Sequence, residues 1–369
     1  MLLLSFFGSR MNAQNSSCFQ GLPNSITDYN SAKTAIAIGD LNGDGTFAPQ
    51  TTYYSGTKPH AIAIGDLNND GFPDLVVANQ WDNNVSIFIN SGTGTFSTPV
   101  NYSVGTNPLS VVIGDLNGDG HPDIVATASN NISVLLNSGT GTFASAVYYT
   151  LSFSPTSISI GDINMDGNPD MAVVGSSSTV QVSVFLNTGS GSFSSAVDYY
   201  GGGGSYSETV VISDISGDGY PDVVVANGGT NNVSVFKNNG YGTLLTAVSY
   251  PAGTTPSSLA IGDLDGDSYP DIAITNQNSG DVSILKNTGT GTFTAAVNYS
   301  LGAPNTQPVA IALGDLNGDG KNDLAIANTY SLKATVLIND DKGTFNAAKV
   351  YAAGSSPYSS AIGDLNGDG

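Results

Sequence analysis

The sequence contains few of the residues that cross-link a chain or activate a nucleophile. Cys18 is the only cysteine, so no disulfide can form within the chain. The only histidines are His60 and His121, and Glu208 is the only glutamate, isolated from the carboxylate pair that a glycosidase needs. The stretches "GSGSF" and "GGGGS" lack the lysine of a phosphate-binding loop. These absences predict that the protein is not an enzyme.

Positive charge is also scarce. Nine Lys and Arg residues face 30 Asp and Glu residues, which gives a formal net charge of −21. Such a chain repels phosphate backbones and anionic lipid surfaces, so no nucleic-acid partner is expected. No apolar run approaches the roughly 18 residues that a membrane-spanning helix requires, so no membrane span is predicted.

Residues 1–28 have the composition of a clipped secretory signal peptide followed by a tail. "MLLLSFF" is apolar, and Asn12-Ala13-Gln14 resembles the end of a bacterial signal with cleavage after Ala13. A basic start is missing, however, and Arg10 interrupts the expected pattern. The alternative is a disordered N-terminal tail. The first interpretation predicts a secreted or cell-surface protein.

The dominant feature of the sequence is a repeat. The motif Asp-x-(Asn/Ser/Asp)-x-Asp-(Gly/Ser)-x-x-Asp begins at Asp66, Asp115, Asp162, Asp214, Asp263 and Asp315, at intervals of 47 to 52 residues. The 46 glycines and the recurring short apolar runs indicate an all-β protein. A period near 50 residues favours a β-propeller. A parallel β-helix is the alternative, but its repeats are usually shorter and do not need two hairpin turns each.

Each unit predicts a four-stranded blade. In the first full unit the strands are "HAIAIGD", "DLVVAN", "NVSIFIN" and "TFSTPVNYS", and the second is apolar enough to be buried on both faces. Residues 29–369 therefore predict a propeller of six complete blades and an incomplete seventh. The full repeats are expected at about 58–107, 108–154, 155–205, 206–255, 256–306 and 307–356, with partial repeats at 29–57 and 357–369.

The aspartate loop that follows each first strand has the spacing of an oxygen-ligand calcium site. Positions 1, 3, 5 and 9 offer side-chain oxygens, and position 7 offers a backbone carbonyl. The predicted ligands are Asp66, Asn68, Asp70, Phe72 and Asp74; Asp115, Asn117, Asp119, His121 and Asp123; Asp162, Asn164, Asp166, Asn168 and Asp170; Asp214, Ser216, Asp218, Tyr220 and Asp222; Asp263, Asp265, Asp267, Tyr269 and Asp271; and Asp315, Asn317, Asp319, Lys321 and Asp323. We therefore expect up to six structural Ca²⁺ ions.

The loops differ from an EF-hand, because position 12 is apolar where that motif needs a bidentate glutamate. The simpler alternative is a set of solvated turns. Six full loops hold 19 of the 30 acidic residues, and the two end copies add Asp40, Asp44, Asp364 and Asp368. Calcium would replace the repulsion between these carboxylates with shared coordination, and it would stabilise only the folded form.

These loops, together with "AIGDLNNDGFPDLVVAN" (63–79) and "NTGTGTFTAAVNYS" (287–300), make the chain resemble the FG-GAP/VCBS repeat family. The resemblance implies a seven-bladed propeller of the kind found in integrin α heads and secreted bacterial proteins. It also implies that the metal is structural and that partners bind the face opposite the loops. The resemblance covers residues from about 34 to the end, but the implied calcium ligation carries over to the six full loops only, because Ala48 stands at position 9 of the first end copy and the last copy stops short.

Aromatic residues provide the remaining candidates for ligand contact. Tyr102, Tyr149, Tyr200, Tyr250, Tyr299 and Tyr351 recur at the ends of fourth strands, where packing between blades is expected ahead of a binding rim. Trp81, the only tryptophan, is expected in a loop after the second strand and could stack on a sugar.

The sequence thus predicts an extracellular propeller that binds a protein or glycan ligand, as a monomer or as part of a longer chain. A lectin with sugar pockets between blades, and a non-catalytic domain of a secreted polysaccharide-degrading enzyme, are the alternatives.

Overall fold

The computed structural model describes residues 2–3, 52–92, 95–177, 182–201, 206–302, 306–317, 319–331, 333–340 and 342–352. These residues form 26 strands and no helix. Two short strands, β1 (Leu2–Leu3) and β2 (Thr52–Tyr53), pair antiparallel. The other strands form six four-stranded sheets, which we number blades 1 to 6 along the chain.

The strand bounds repeat from blade to blade. Blade 1 comprises β3 (Pro59–Gly65), β4 (Asp74–Asn79), β5 (Asn84–Phe88) and β6 (Val100–Ser103). Blade 2 comprises β7 (Val111–Gly114), β8 (Asp123–Ala128), β9 (Asn131–Leu135) and β10 (Val147–Thr150). Blade 3 comprises β11 (Ser154–Gly161), β12 (Asp170–Ser176), β13 (Val182–Phe185) and β14 (Val197–Tyr199).

The second half of the propeller has the same order. Blade 4 comprises β15 (Thr209–Ser213), β16 (Asp222–Asn227), β17 (Asn232–Phe236) and β18 (Val248–Pro251). Blade 5 comprises β19 (Pro256–Gly262), β20 (Asp271–Asn276), β21 (Asp281–Leu285) and β22 (Val297–Ser300). Blade 6 comprises β23 (Pro308–Gly314), β24 (Asp323–Asn328), β25 (Lys333–Leu337) and β26 (Lys349–Ala352).

Every blade is an antiparallel meander in which the strands lie in chain order. The second strand is the most deeply buried, and all six residues of β8 are buried. Its apolar sequence follows from this position, because each of its faces packs against another blade. The fourth strand is largely exposed and forms the outer edge. The predicted β-propeller is therefore confirmed.

The core lies between blades. The cluster between blades 2 and 3 joins Leu116 and Val125 to Met171 and Phe185. Leu116 occupies position 2 of its aspartate loop and is fully buried. Burying one leucine side chain contributes about 1.5–3 kcal/mol, so this residue anchors the loop to the core. Leu67, Ile163 and Ile215 occupy the same position and are also fully buried.

The meander places the connections at two ends of the propeller. The aspartate loops join first to second strands, and they share one end with the turns between third and fourth strands; we call this the loop end. The turns between second and third strands and the links between blades share the other end, which we call the opposite end. The two ends therefore carry different chemistry.

Two details of the sequence prediction are corrected. The fourth strand of blade 1 begins at Val100, because "TFSTP" is reduced to an isolated bridge between Asn90 and Phe96. In blade 3 the inward tyrosine is Tyr199, which pairs with Val182, whereas Tyr200 is 62% exposed. Alternation along the strand explains the error, since neighbouring side chains point to opposite faces.

The expected packing between blades is present for Tyr102, Tyr149, Tyr250 and Tyr299. The Tyr149 hydroxyl accepts a hydrogen bond from the backbone N–H of Phe193 in the next blade at 3.1 Å, and their rings meet edge to face at 5.5 Å. Tyr53 of β2 makes the same bond to Phe96 of blade 1 at 3.2 Å. Residues around Tyr53 therefore supply an outer-strand contact to blade 1 from the preceding repeat.

Candidate metal centre

Position 1 of each aspartate loop organises the backbone around it. In the loop of blade 2, Asp115 accepts hydrogen bonds from the N–H groups of Gly118, Asp119 and Gly120 at 2.8–3.2 Å. Gly120 has φ of 82°, a conformation that glycine adopts without cost. Ser268 takes this place in blade 5 with φ of 72°, where a side chain costs energy. The loop is therefore built around its first carboxylate.

The residues at positions 3 and 5 are joined by hydrogen bonds. The Asn117 amide donates to Asp119 at 2.9 Å, and the N–H of Asp119 donates back to Asn117 at 3.0 Å. The N–H of His121 donates to Asp119 at 2.9 Å, and this bond is the main reason why the pKa of Asp119 is lowered. The oxygens of positions 1, 3 and 5 are thus preset on one short loop.

Position 9 differs, because its carboxylate is buried and clamps the blade together. One oxygen of Asp123 accepts the N–H of Leu116 at 2.9 Å, and the other accepts the N–H of Asn137 at 2.7 Å. Burial raises the pKa of all six position-9 carboxyls, to about 6 for Asp170 and Asp271. These carboxylates carry their charge at an energetic cost that a nearby cation would reduce.

Side chains at position 7 are more constrained than their variety suggests. The ring of His121 lies over Gly139, where an added Cβ would come within 2.6 Å of it. Nδ1 of His121 also lies 2.6 Å from the side-chain amide of Asn69 in the blade 1 loop, so its side chain contacts a neighbouring loop. Phe72 covers Gly92 in the same way. Tyr220 and Tyr269 likewise lie over turn glycines, so the position accepts residues of different chemistry.

The blade 5 loop concentrates the most negative charge. Carboxylate oxygens of Asp263, Asp265 and Asp267 lie within 4.8 Å of one another. Asp265 Oδ1 is buried without a hydrogen-bond partner, and Asp265 Oδ2 lies 3.3 Å from Nζ of Lys286. Asp271 lies outside this group of three, in its buried clamp. Three carboxylates with one unsatisfied oxygen form a site that a cation would complete.

The donor set suits a hard cation. Positions 1, 3 and 5 present only oxygens, and no cysteine or histidine side chain is among the predicted ligands except His121, which offers its carbonyl. Several oxygen donors on one short loop match calcium. If calcium is bound, positions 1, 3, 5 and 7 would hold it at the loop end. The role of position 9 as a direct ligand stays a prediction.

The structure also reveals residues that the sequence prediction missed. Six asparagines, which we call the turn asparagines, follow the third strands: Asn90, Asn137, Asn187, Asn238, Asn287 and Asn339. Each is buried, and its backbone N–H donates to the position-9 carboxylate of its own blade at 2.7–2.8 Å. Their recurrence one residue before each "SGTG"-like turn was the available signal.

Comparison with known proteins agrees with this repeat. A family model described as FG-GAP-like repeat matches residues 30–77, 66–126, 115–173, 162–225, 214–274, 263–326 and 315–369. The chain belongs to the FG-GAP-like repeat family. Seven FG-GAP-like matches fit a propeller of more than six blades. No curated protein matches the chain.

Solved structures show the same fold for this FG-GAP-like chain. An Agrocybe aegerita lectin structure, described as recognising non-reducing terminal N-acetylglucosamine, is 22% identical, with a TM-score of 0.58 over 79% of this chain and 80% of that one. Virginiamycin B lyase from Staphylococcus aureus is 15% identical, with a TM-score of 0.56 over 80% and 84%. A functionally unknown protein from Desulfotomaculum acetoxidans is 13% identical, with a TM-score of 0.57 over 83% and 92%.

The remaining sequence candidates lie away from the loops. His60 of β3 is partly buried and contacts the carbonyl of Leu109 at 2.7 Å. Trp81 lies at the opposite end and is 54% exposed, with Nζ of Lys58 4.8 Å from its ring centroid. Residues 1–28, apart from β1, and both end copies of the loop lie outside the described residues. The described part of the chain contains no helix that could cross a membrane.

Proposed function

We propose that this FG-GAP-like propeller is a secreted or cell-surface interaction module whose blades are stabilised by calcium in the aspartate loops. The observation that supports it is the blade 5 loop, where three carboxylates converge and one buried oxygen has no partner. The same loop architecture recurs in all six blades. Sites of modest affinity would suffice, because extracellular modules bind calcium with dissociation constants of about 10⁻⁴–10⁻³ M.

Metal analysis of the purified protein tests this proposal. In equilibrium dialysis against millimolar calcium, the protein should bind several calcium ions per chain. Asp263→Ala with Asp267→Ala should reduce that number by one, whereas the double variant Asp198→Ala with Asp281→Ala, which removes carboxylates outside the loops, should not change it. Protein that holds no calcium under these conditions would contradict the proposal.

The module is expected to bind its partner at the opposite end, because the metal would occupy the loop end. The chain is proposed to be non-catalytic and to have a protein or glycan ligand. Attachment to a polysaccharide-degrading enzyme is compatible with this role. A monomeric state, alone or within a longer chain, is part of the same proposal.

Glycan binding is the second candidate, and Trp81 is the observation that favours it. An exposed indole provides a flat apolar surface for a sugar ring, and Lys58 beside it adds a hydrogen-bond donor. Asp82, the next residue, is held by the N–H of Thr57 at 2.5 Å, which ties this turn to the blade-to-blade link. The fold is also that of a lectin described as recognising N-acetylglucosamine.

A second location for a sugar is a shallow cavity of about 260 Å³ on the outer side of blades 2 and 3. It is lined by Tyr148, Tyr149, Phe185 and Phe193 among others. Two of these side chains, Tyr149 and Phe193, already pack against each other. The cavity corresponds to the predicted lectin alternative with pockets between blades.

Tryptophan fluorescence distinguishes these locations, since Trp81 is the only tryptophan. Binding of N-acetylglucosamine oligomers at the opposite end should shift or quench the emission, and Trp81→Ala should abolish binding measured by calorimetry. Tyr241→Ala, which removes an 85% exposed aromatic residue elsewhere, should leave binding intact. Binding that is lost in Tyr148→Ala but kept in Trp81→Ala would assign the sugar to the cavity.

A further inference from the structure

Within the described residues, five of the six turn asparagines touch the aspartate loops of two blades. The backbone N–H of Asn287 donates to Asp271 of its own blade 5 at 2.7 Å. Its side-chain amide donates to the carbonyl of Ile215, in the loop of blade 4, at 2.7 Å. One buried residue therefore bridges two predicted metal loops that are far apart in sequence.

The bridge is present at every blade boundary that the described residues allow us to see. The pairs are Asn137 with Leu67, Asn187 with Leu116, Asn238 with Ile163, Asn287 with Ile215, and Asn339 with Leu264, all at 2.6–2.7 Å. The receiving residue is always position 2 of the preceding loop. Because these asparagines are buried, water cannot readily replace the bond.

The receiving residue links the bridge to the metal ligands. The N–H of Ile215 donates to the position-9 carboxylate of Asp222 at 3.2 Å, and its carbonyl accepts the bond from Asn287. Ile215 stands between the predicted ligands Asp214 and Ser216, and its side chain is fully buried. Both peptide planes beside Ile215 are thus held by hydrogen bonds, one to a position-9 carboxylate and one from Asn287.

A second contact reinforces the first. The turn that contains Asn287 continues to Gly291, whose N–H donates to the Asn287 side chain at 3.1 Å. An added Cβ on Gly291 would lie 3.2 Å from Cα of Ser216, at position 3 of the blade 4 loop. The turn of one blade therefore packs closely against positions 2 and 3 of the preceding loop.

We propose that the turn asparagines couple the metal loops of neighbouring blades, so that calcium in one loop raises the affinity of the next. The inference rests on the proposed calcium function. An occupied blade 4 loop fixes the carbonyl of Ile215, which orders Asn287 and with it the clamp on Asp271. Ordering one loop in this way lowers the entropic cost of ordering the next, which is positive coupling.

Tyrosines at position 7 make individual loops observable. Blades 4 and 5 carry Tyr220 and Tyr269 at this position, where the other full loops have Phe, His, Asn and Lys. Terbium can replace calcium, and a tyrosine at the site sensitises its luminescence. In a Tyr220→Phe background, the part of the terbium luminescence that a further Tyr269→Phe substitution removes reports the blade 5 loop. The terbium affinity of this loop is then measured with the blade 4 loop intact and with Asp218→Ala.

Asp218→Ala should weaken terbium binding in the blade 5 loop by about fivefold or more. Adding Asn287→Ala should reduce this effect to less than about twofold, because the cross-blade bond is removed. The backbone N–H to Asp271 remains in this variant. The matched control is Asn276→Ala in the same blade, a fully buried asparagine that bonds Asp281 and Ser283 at 2.8 Å and lies at the opposite end, away from the aspartate loops. The control should keep the fivefold effect.

The outcomes separate the inference from the calcium function. An equal effect of Asp218→Ala with and without Asn287, or loss of the effect in Asn276→Ala as well, would overturn the coupling. Terbium affinity of the blade 5 loop that is unchanged by Asp218→Ala would also overturn the coupling, but it would not contradict calcium binding. Absence of terbium and calcium binding in the wild type would overturn both. Circular dichroism of each variant verifies that the blades are folded.

Discussion

At the scale of single residues, the position-9 aspartates perform two tasks in one place. Their carboxylates hold the start of the second strand through two buried N–H donors, and their charge lies beside positions 1 and 5. Replacing an acceptor oxygen of such a buried carboxylate with a donor destabilises the folded protein sharply, because two N–H groups then face each other. The exposed aspartates at position 5 accept no such buried hydrogen bonds.

Asp123→Asn should therefore destabilise the protein even when all metal is removed. The asparagine amide would bring N–H groups toward the N–H of Leu116 or Asn137, at a cost of about 1–3 kcal/mol in the free energy of unfolding. Urea denaturation in excess chelator measures it. Asp119→Asn is the matched control and should change stability by about 0.5 kcal/mol or less, because its side chain is exposed. Equal losses would contradict the assigned clamp.

Tyr149→Phe tests the bond between blades 2 and 3. Removing the hydroxyl leaves the N–H of Phe193 without its partner, so the free energy of unfolding should fall by about 0.5–1.5 kcal/mol. Tyr148→Phe alters the neighbouring residue, which is 52% exposed, and should have almost no effect. Thermal unfolding of the pair provides the comparison, and a larger loss in Tyr148→Phe would refute the strand orientation.

At the scale of elements, the turn between third and fourth strands is an inter-blade contact as well as a hairpin. The turn glycines pack onto the preceding loop, and Gly191 has φ of 68° with Leu136 and Asn117 close to its missing Cβ. Gly118, inside the aspartate loop, has φ of 73° and nothing within 4 Å of an added Cβ. The two glycines share a conformation but differ in surroundings.

Gly191→Ala should therefore cost more than Gly118→Ala. Both substitutions impose about 1–2 kcal/mol of backbone strain, and Gly191→Ala adds about 1–3 kcal/mol of overpacking against the neighbouring blade. Denaturation of both variants in chelator, which removes any metal effect, isolates the difference. Equal costs would show that the turn is not tightly packed against the neighbouring blade.

The elements were readable from the sequence to different extents. The second strands and aspartate loops were predictable, because a strand buried on both faces and a repeated ligand spacing are local patterns. The inward tyrosine of blade 3 was misassigned by one residue, since "DYY" offers two tyrosines and only the pairing of Tyr199 with Val182 decides between them.

At the scale of the whole molecule, the loop end forms a connected system. Asn187 and Leu116 are 71 residues apart in sequence yet joined by one hydrogen bond. Such a contact depends on how blades pack and has no local sequence signature, so the bridges could not be predicted although the asparagines themselves recur. The blade count and the fold, in contrast, followed from the period of the repeat.

Calcium should bind only the folded propeller and so stabilise it as a whole. If the sites have dissociation constants near 10⁻⁴ M, calcium at about a hundredfold excess would add about 2.7 kcal/mol for each occupied site. The gain would be spread over blades that share their cores, so the unfolding midpoint should move as a single transition.

The most direct measurement is thermal unfolding, followed by the β signal in circular dichroism, in about 10 mM calcium and then in excess chelator. We predict a large fall in the midpoint on chelation, restored by calcium and not by magnesium, which demands stricter octahedral geometry. An unchanged midpoint, together with metal analysis that finds no calcium in the protein, would contradict the central claim that the aspartate loops are calcium sites.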